Sequence, residues 1–153
     1  MALVSITRLR PRAMGTFLPF VALSWRSIRE AANTPGFVHG MAIAFDRGTV
    51  FWTMTLWQDA AAMHAFRQAT DHRVAMQRVG ELAGELATVS WSSPDDRPPD
   101  WPDAHARLLA EGRFSRLPHP TRAHLAHQIP APWAWLATEI PFRVARQLEK
   151  RGA

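Results

Sequence analysis

The chain has 153 residues, of which 47% are hydrophobic, enough to bury a sizeable core and too many for a disordered chain. It contains no cysteine, which excludes disulfides, thiolate catalysis and cysteine-based zinc sites. The formal net charge is +5, but the basic residues are scattered arginines with Lys150 as the single lysine, which argues against nucleic-acid binding. No run reaches the roughly 18 apolar residues of a membrane span, and the N-terminus lacks a signal-peptide pattern, so we expect a cytoplasmic protein.

The first third of the chain predicts a strand, a helix and a second strand. Residues 3–9 alternate in a β-rich pattern that favours a strand ending before Pro11. Thr16 is placed to cap a helix that residues 33–36 would end. Residues 37–45 alternate large and small side chains, which predicts a strand with His39 on its large-residue face. The helix spacing places five apolar residues inward: Phe17, Phe20, Val21, Trp25 and Ile28.

The middle of the chain predicts a hairpin followed by a broken helix and a fourth strand. Residues 46–48 form a short loop, so the strand over 49–57 pairs antiparallel with the preceding one. Asp59 can cap the next helix, and Thr70 with Asp71 looks like a second cap where the helix restarts. Residues 86–92 read as the fourth strand. The order β-α-β-β-α-β indicates an α+β, ferredoxin-like core over residues 1–93.

The last 60 residues differ in composition from this core. Residues 94–103 are rich in proline and acids, and a short helix is expected near 103–111. Residues 139–150 predict a final helix. We therefore interpret residues 94–153 as a proline-rich, partly helical extension, packed on the core or extending from it.

His72 is the leading candidate for chemistry. It lies four residues before Met76 and seven before Val79, so it shares the inward face of the restarted helix. A histidine there is a general base, a haem ligand or a core imidazole bonded to a carbonyl. His64 lies off the inward stripe of Met63 and Phe66 and is expected in solvent.

Two further patterns bear on the site and on assembly. Trp52 and Trp57 are an odd number of positions apart and so face opposite sides of their strand. Trp52 on the reverse side would be exposed in a monomer, which favours a homodimer through that face. His119, His124 and His127 lack a nearby carboxylate or cysteine, so no metal site is expected.

Four segments of the core carry a family resemblance: residues 34–38 (TPGFV), 51–57 (FWTMTLW), 58–66 (QDAAAMHAF) and 69–73 (ATDHR). With these segments the core resembles the dimeric α+β barrel superfamily that includes the antibiotic-biosynthesis monooxygenases. It looks closest to an uncharacterised branch and to the spheroidene monooxygenase group, which hydroxylates carotenoids and has been linked to haem.

The resemblance implies a pocket between helices and sheet, and a homodimer in which two sheets pack face to face. Haem-degrading relatives use an asparagine, a tryptophan and a histidine, of which only the tryptophan is matched, by Trp57. The implied catalytic residues are His72 and Trp57, with haem or no cofactor. The expected substrate-binding residues are Thr7, Arg73, His39, Phe66, Met76 and Trp25. The expected activity is that of a monooxygenase acting on a bulky apolar or aromatic small molecule. The alternatives are an isomerase or cyclase, and a non-enzymatic binding dimer.

Overall fold

A computed structural model describes residues 1–46, 48–132 and 138–142. Six strands and five α-helices follow one another along the described chain. Among the described residues, no helix is long and apolar enough to cross a membrane. The elements in order are β1 (Ala2–Pro11), α1 (Phe17–Asn33), β2 (Phe37–Phe45), β3 (Val50–Trp57), α2 (Ala60–Gln68), α3 (Thr70–Leu82), β4 (Ala83–Ser93), α4 (Trp101–Glu111), β5 (Arg113–Phe114), α5 (Arg122–Leu125) and β6 (Thr138–Phe142).

One antiparallel sheet organises the molecule, with the strand order β5-β4-β1-β3-β2-β6. Its four central strands have the ferredoxin-like order β4-β1-β3-β2, so the predicted α+β core is confirmed. Both edges carry a short strand from the C-terminal extension. The C-terminal extension therefore supplies both edge strands of the sheet.

The two faces of the sheet are packed by different parts of the chain. Phe51 on β3 contacts Phe17 and Phe20 of α1, which defines the helix side. Trp52, the next residue, points to the reverse side and contacts Trp101 of α4. The largest apolar cluster lies on this reverse side, where strand residues meet α4 and Ile129.

The reverse face is covered by the chain's own extension. Trp52 is fully buried, and its ring lies 6.4 Å from that of Trp101 and 6.1 Å from that of His105. The prediction that Trp52 lies at a dimer interface is therefore wrong, because α4 occupies that position. A homodimer through this sheet face would first have to displace α4.

Polar contacts anchor the extension as well. Arg8 and Glu85 form a buried ion pair on the reverse face, with Nη1 and Oε2 2.5 Å apart. The Thr121 hydroxyl donates to the second oxygen of Glu85 at 2.8 Å. The buried His124 bonds the Ser115 carbonyl oxygen through Nε2 at 2.8 Å and accepts the Leu86 amide of β4 at Nδ1 at 3.4 Å, so it ties the extension to the core sheet.

Two predicted elements differ from the structure. The register of β2 against β3 shifts between Phe37 and His39, which turns Phe37 to the helix side while His39 pairs with Leu56. A final helix was predicted over residues 139–150, but residues 139–142 belong to β6, which forms because it pairs with β2; residues 143–150 lie outside the described residues. The ring of Phe142 lies directly over Gly40, where a Cβ atom would collide with it.

Adjacent leucines in α4 test whether the extension is part of the core. Leu108 is fully buried, whereas Leu109 is 51% exposed. We expect Leu108→Ala to lower the free energy of unfolding by about 2–5 kcal/mol, because it leaves a cavity. Leu109→Ala should change it by less than about 0.5 kcal/mol. Urea unfolding of the full chain measures both; equal, small effects would show that α4 is not part of the core.

Candidate active site at the helix side of the sheet

A row of aromatic rings leads from the end of β3 to His72. Trp57 is fully buried and stacks on Phe66 of α2, with ring centroids 5.1 Å apart. Phe66 in turn lies 4.3 Å from the imidazole of His72. On the other side, Phe37 meets Trp57 edge-on at 5.3 Å and stacks on Phe142 at 5.7 Å. The predicted pair, Trp57 and His72, is thus brought into one cluster through Phe66.

The chain between the two predicted catalytic residues is shaped by its helix ends. The Asp59 side chain accepts the Ala62 amide at 2.8 Å and starts α2, as the sequence predicts. The helix stops at Gln68, and α3 begins at Thr70. This break redirects the chain within a few residues and places His72 beside the ring of Phe66.

A carboxylate from α1 caps α3. Glu30 accepts the backbone amides of Asp71 and His72 at 3.1 and 2.7 Å. The predicted cap by Thr70 or Asp71 is wrong, because Ala69 holds the cap position and makes no side-chain bond. A carboxylate at a helix N-terminus also interacts favourably with the helix dipole.

The imidazole of His72 is held on one side by a hydroxyl. Its Nδ1 lies 3.0 Å from Oγ of Ser27, three residues before Glu30 on α1. Burial, and then the nearby Arg67 guanidinium, lower the pKa of His72 below its usual 6.5, while Glu30 acts in the opposite direction. The lowered pKa favours the neutral imidazole at pH 7, and Nε2 remains as the nitrogen that is not bonded to Ser27.

Hydroxyl-bearing side chains line the sheet beside this cluster. Thr7 pairs with Thr53 across β1 and β3, and Ser5 with Thr55, so all four share the helix side with Trp57. All four are half-buried, although α1 and α3 lie over this side. The Trp57 indole N–H donates to Oγ1 of Thr55 at 2.9 Å, which connects the hydroxyl floor to the aromatic row.

The other predicted substrate-binding residues lie apart from the cluster. Trp25 and Met76 were expected to point inward, but they are 52% and 46% exposed, because the helices bury other sides. His39 pairs with Leu56, which places it on the opposite sheet face from Trp57. Arg73 is exposed on α3, next to His72 in the chain. His64 is exposed, as predicted.

Sequence reasoning missed Ser27, Glu30 and Phe142. Ser27 and Glu30 are three residues apart and so share a helix side, which was a readable signal, but their partner on α3 is more than 40 residues away. Phe142 gave no signal, because its segment was predicted as helix.

Two open grooves lie away from His72. One, of about 550 Å³, runs between Trp91 and α4, where the Arg107 guanidinium lies over the Trp91 ring at 5.0 Å. The other, of about 640 Å³, borders Phe37 and Asp59. Neither groove includes His72. The candidate site is defined by the chemistry of its side chains, the aromatic row with His72 and the neighbouring hydroxyls.

The described side chains do not form a metal site, and those around His72 do not form a haem site. In the described part of the chain, no three histidine or acidic side chains converge on a point that would hold a metal ion. A haem ligated by His72 would use Nε2, since Ser27 engages Nδ1. The Phe66 ring packs against the imidazole, and the cation that acts on it is the exposed Arg67. These residues do not specify a haem site.

Residues 1–113 match the family described as "Domain of unknown function (DUF3291)". The chain belongs to this family. The match includes every member of the site except Phe142. A search of curated proteins finds no match.

Solved structures share the fold of this DUF3291 protein. Rv0793 from Mycobacterium tuberculosis is 18% identical with a TM-score of 0.57, over 62% of this chain and 97% of that one. SnoaB from Streptomyces nogalater, a cofactor-independent oxygenase, is 14% identical with a TM-score of 0.52, over 61% and 94%. A Nitrosomonas europaea protein assigned by its name to the antibiotic biosynthesis monooxygenases is 12% identical with a TM-score of 0.54, over 61% and 90%. The core thus has the fold of the antibiotic-biosynthesis-monooxygenase-like superfamily.

The charge around His72 predicts a shift that NMR can measure. Arg67→Gln removes a cation that lowers the pKa of His72, so that pKa should rise toward 6.5. Arg78→Gln, another exposed arginine, should leave it in place. A wild-type His72 pKa at or above 6.5, or equal pKa shifts in both variants, would contradict this.

Because burial keeps the folded-state pKa of His72 below the unfolded value, folding stability should be full above pH 6.5 and fall as pH drops through the folded-state pKa.

Proposed function

We propose that this protein is an oxygenase that uses O₂ on a bulky apolar or aromatic small molecule, with His72 as general base and no resident cofactor. The observation that supports this most is a neutral imidazole set in an aromatic row beside a hydroxyl-lined sheet.

The chemistry would begin with proton removal. A substrate ring would lie against Phe66, and an acidic C–H or O–H would give its proton to Nε2 of His72. For this step Nδ1 would carry the imidazole proton and donate a hydrogen bond to Oγ of Ser27. This tautomer leaves Nε2 unprotonated as the acceptor. Glu30 would stabilise the imidazolium, since its charge already favours that form.

Substrate binding would use the hydroxyl-bearing floor of the site and the exposed Arg73. The hydroxyls of Thr7 and Thr55 would hydrogen-bond oxygen atoms of the substrate, while Trp57 and Phe66 supply apolar contact. Arg73, exposed beside His72, would bind an anionic group. The substrate anion, once formed, would give two electrons to O₂ and form a C–O bond to it. The resulting peroxide anion would take a proton from the His72 imidazolium, and loss of water from the hydroperoxide would leave one oxygen atom on the substrate as a carbonyl.

The comparison with SnoaB supports a route without a cofactor. That protein is described as a cofactor-independent oxygenase and shares this fold. In such a route the protein supplies a base, an apolar site and orientation, and the substrate itself supplies the electrons. The groups around His72 match those three requirements.

Oxygen uptake with hydroxylated two- and three-ring aromatics, such as 1-naphthol and 1,8-dihydroxyanthrone, tests the proposal. We expect His72→Gln to lower kcat about 10²–10⁴-fold with little change in KM, because it removes the base and keeps the site's shape. His64→Gln, which changes an exposed histidine, should retain wild-type activity.

The other outcomes of this assay separate the alternatives. Product formed without oxygen uptake would contradict the oxygenase and assign an isomerase or cyclase that uses the same base. Binding of the aromatics without turnover would leave a binding protein. An absorption spectrum after haem addition completes the test: a Soret band present in wild type and lost in His72→Ala would overturn the route without a cofactor.

A further inference from the structure

We propose that the outer face of α1 binds an anionic membrane surface. The outer face comprises Leu18, Val21, Trp25 and Arg29 of α1, with Met14 in the turn before it. It is distinct from the candidate active site, and the proposal does not depend on the reaction assigned to that site.

The apolar residues of this face form a continuous exposed stripe. Leu18, Val21 and Trp25 follow one another at helical spacings of three and four. They are 75%, 36% and 52% exposed, and Met14 is 80% exposed. On the neighbouring α3, Met76 is 46% exposed. These five are half of the ten large exposed hydrophobic residues in the described chain, so they form a concentration rather than the usual scatter.

The stripe exists because α1 buries its opposite side. Phe20, Ala31 and Ala32 are the buried residues of the helix, and Phe20 packs on Phe51 of the sheet. A helix that is apolar on both sides needs a second apolar environment for the side that faces away from the core. No described residue covers the outer side, as its exposures show.

The charges around the stripe identify the environment. Arg29 continues the line of exposed positions beyond Trp25, and Arg12, Arg73 and Arg78 are exposed on the adjoining loop and on α3. Across residues 12–33 and 70–82, the single exposed acid is Glu81. The other acid of α3, Asp71, is paired with Arg26.

This combination fits anionic lipid better than a protein copy. An interfacial helix places Trp and Leu at the boundary of headgroups and acyl chains while arginines meet lipid phosphates. A second copy docked on the same face would bring like-charged arginines together. Residues 143–153 carry four basic residues and one acid. If this segment occupied the outer face, it would likewise bring positive charge against the arginines there.

Co-sedimentation of the full chain with vesicles tests the proposal. We expect binding to vesicles that contain phosphatidylglycerol, weak binding to pure phosphatidylcholine, and loss of binding in 0.5 M salt. The double variant Leu18→Ser with Trp25→Ser should weaken binding at least about tenfold. Arg29→Gln should weaken it about fivefold.

Matched variants elsewhere on the surface serve as controls. Leu109→Ser with Leu125→Ser changes residues that are 51% and 68% exposed, and Arg113→Gln with Arg116→Gln removes two exposed cations. Both controls should bind vesicles like wild type. The proposal would be overturned by a wild type that binds no vesicles, by equal binding to neutral and anionic vesicles, or by stripe variants that bind normally. A concentration-dependent dimer that the stripe variants lose, without vesicle binding, would overturn it in favour of a second copy.

Discussion

The contact between Glu30 and the first turn of α3 is the interaction on which the candidate site depends. One carboxylate on α1 accepts two backbone amides, one of them from His72 itself. A cap of this kind stabilises by about 0.5–2 kcal/mol, and here it also fixes the position of one helix against the other. With that position set, Ser27 meets Nδ1 of His72 one helical turn earlier on α1. The same carboxylate thus orients the imidazole and favours its protonated form electrostatically.

The fold allows this site because the two faces of the sheet are packed differently. The reverse face holds the larger apolar cluster, which α4 and Ile129 complete within the chain. The helix side carries a smaller cluster around Trp57 and Phe37, and its threonine and serine floor stays half-buried. With most of the apolar packing on the reverse face, the helix side can retain polar side chains. The extension therefore contributes to the site indirectly, and directly through the ring of Phe142.

Local patterns predicted much of the core, and long-range contacts account for the failures. Alternation and helical spacing located β1, α1, β3 and the α2–α3 break, and they placed Trp52 and Trp57 on opposite faces. The bulge that separates Phe37 from His39 arises from pairing with β3, and β6 forms because it pairs with β2; neither is encoded in the spacing of its own segment. Trp25 and Met76 were misplaced because helical spacing groups residues over a wide arc of the helix, and only part of that arc faces the core: Phe20 is buried, whereas Val21 and Trp25 are exposed. The Glu30 cap joins residues about 40 positions apart, so a single sequence carries no sign of it.

Hydrogen exchange at two amides tests the role of Glu30 most directly. In Glu30→Ala, the amides of Asp71 and His72 lose their acceptor and should exchange about 2- to 30-fold faster, while the amides of Val4 and Ile6 in β1 keep their wild-type rates. The pKa of His72 should fall further, because a nearby negative charge has been removed. Glu81→Ala, which changes an exposed acid on α3, should alter neither quantity. Unchanged exchange at Asp71 and His72 together with an unchanged His72 pKa would contradict the account.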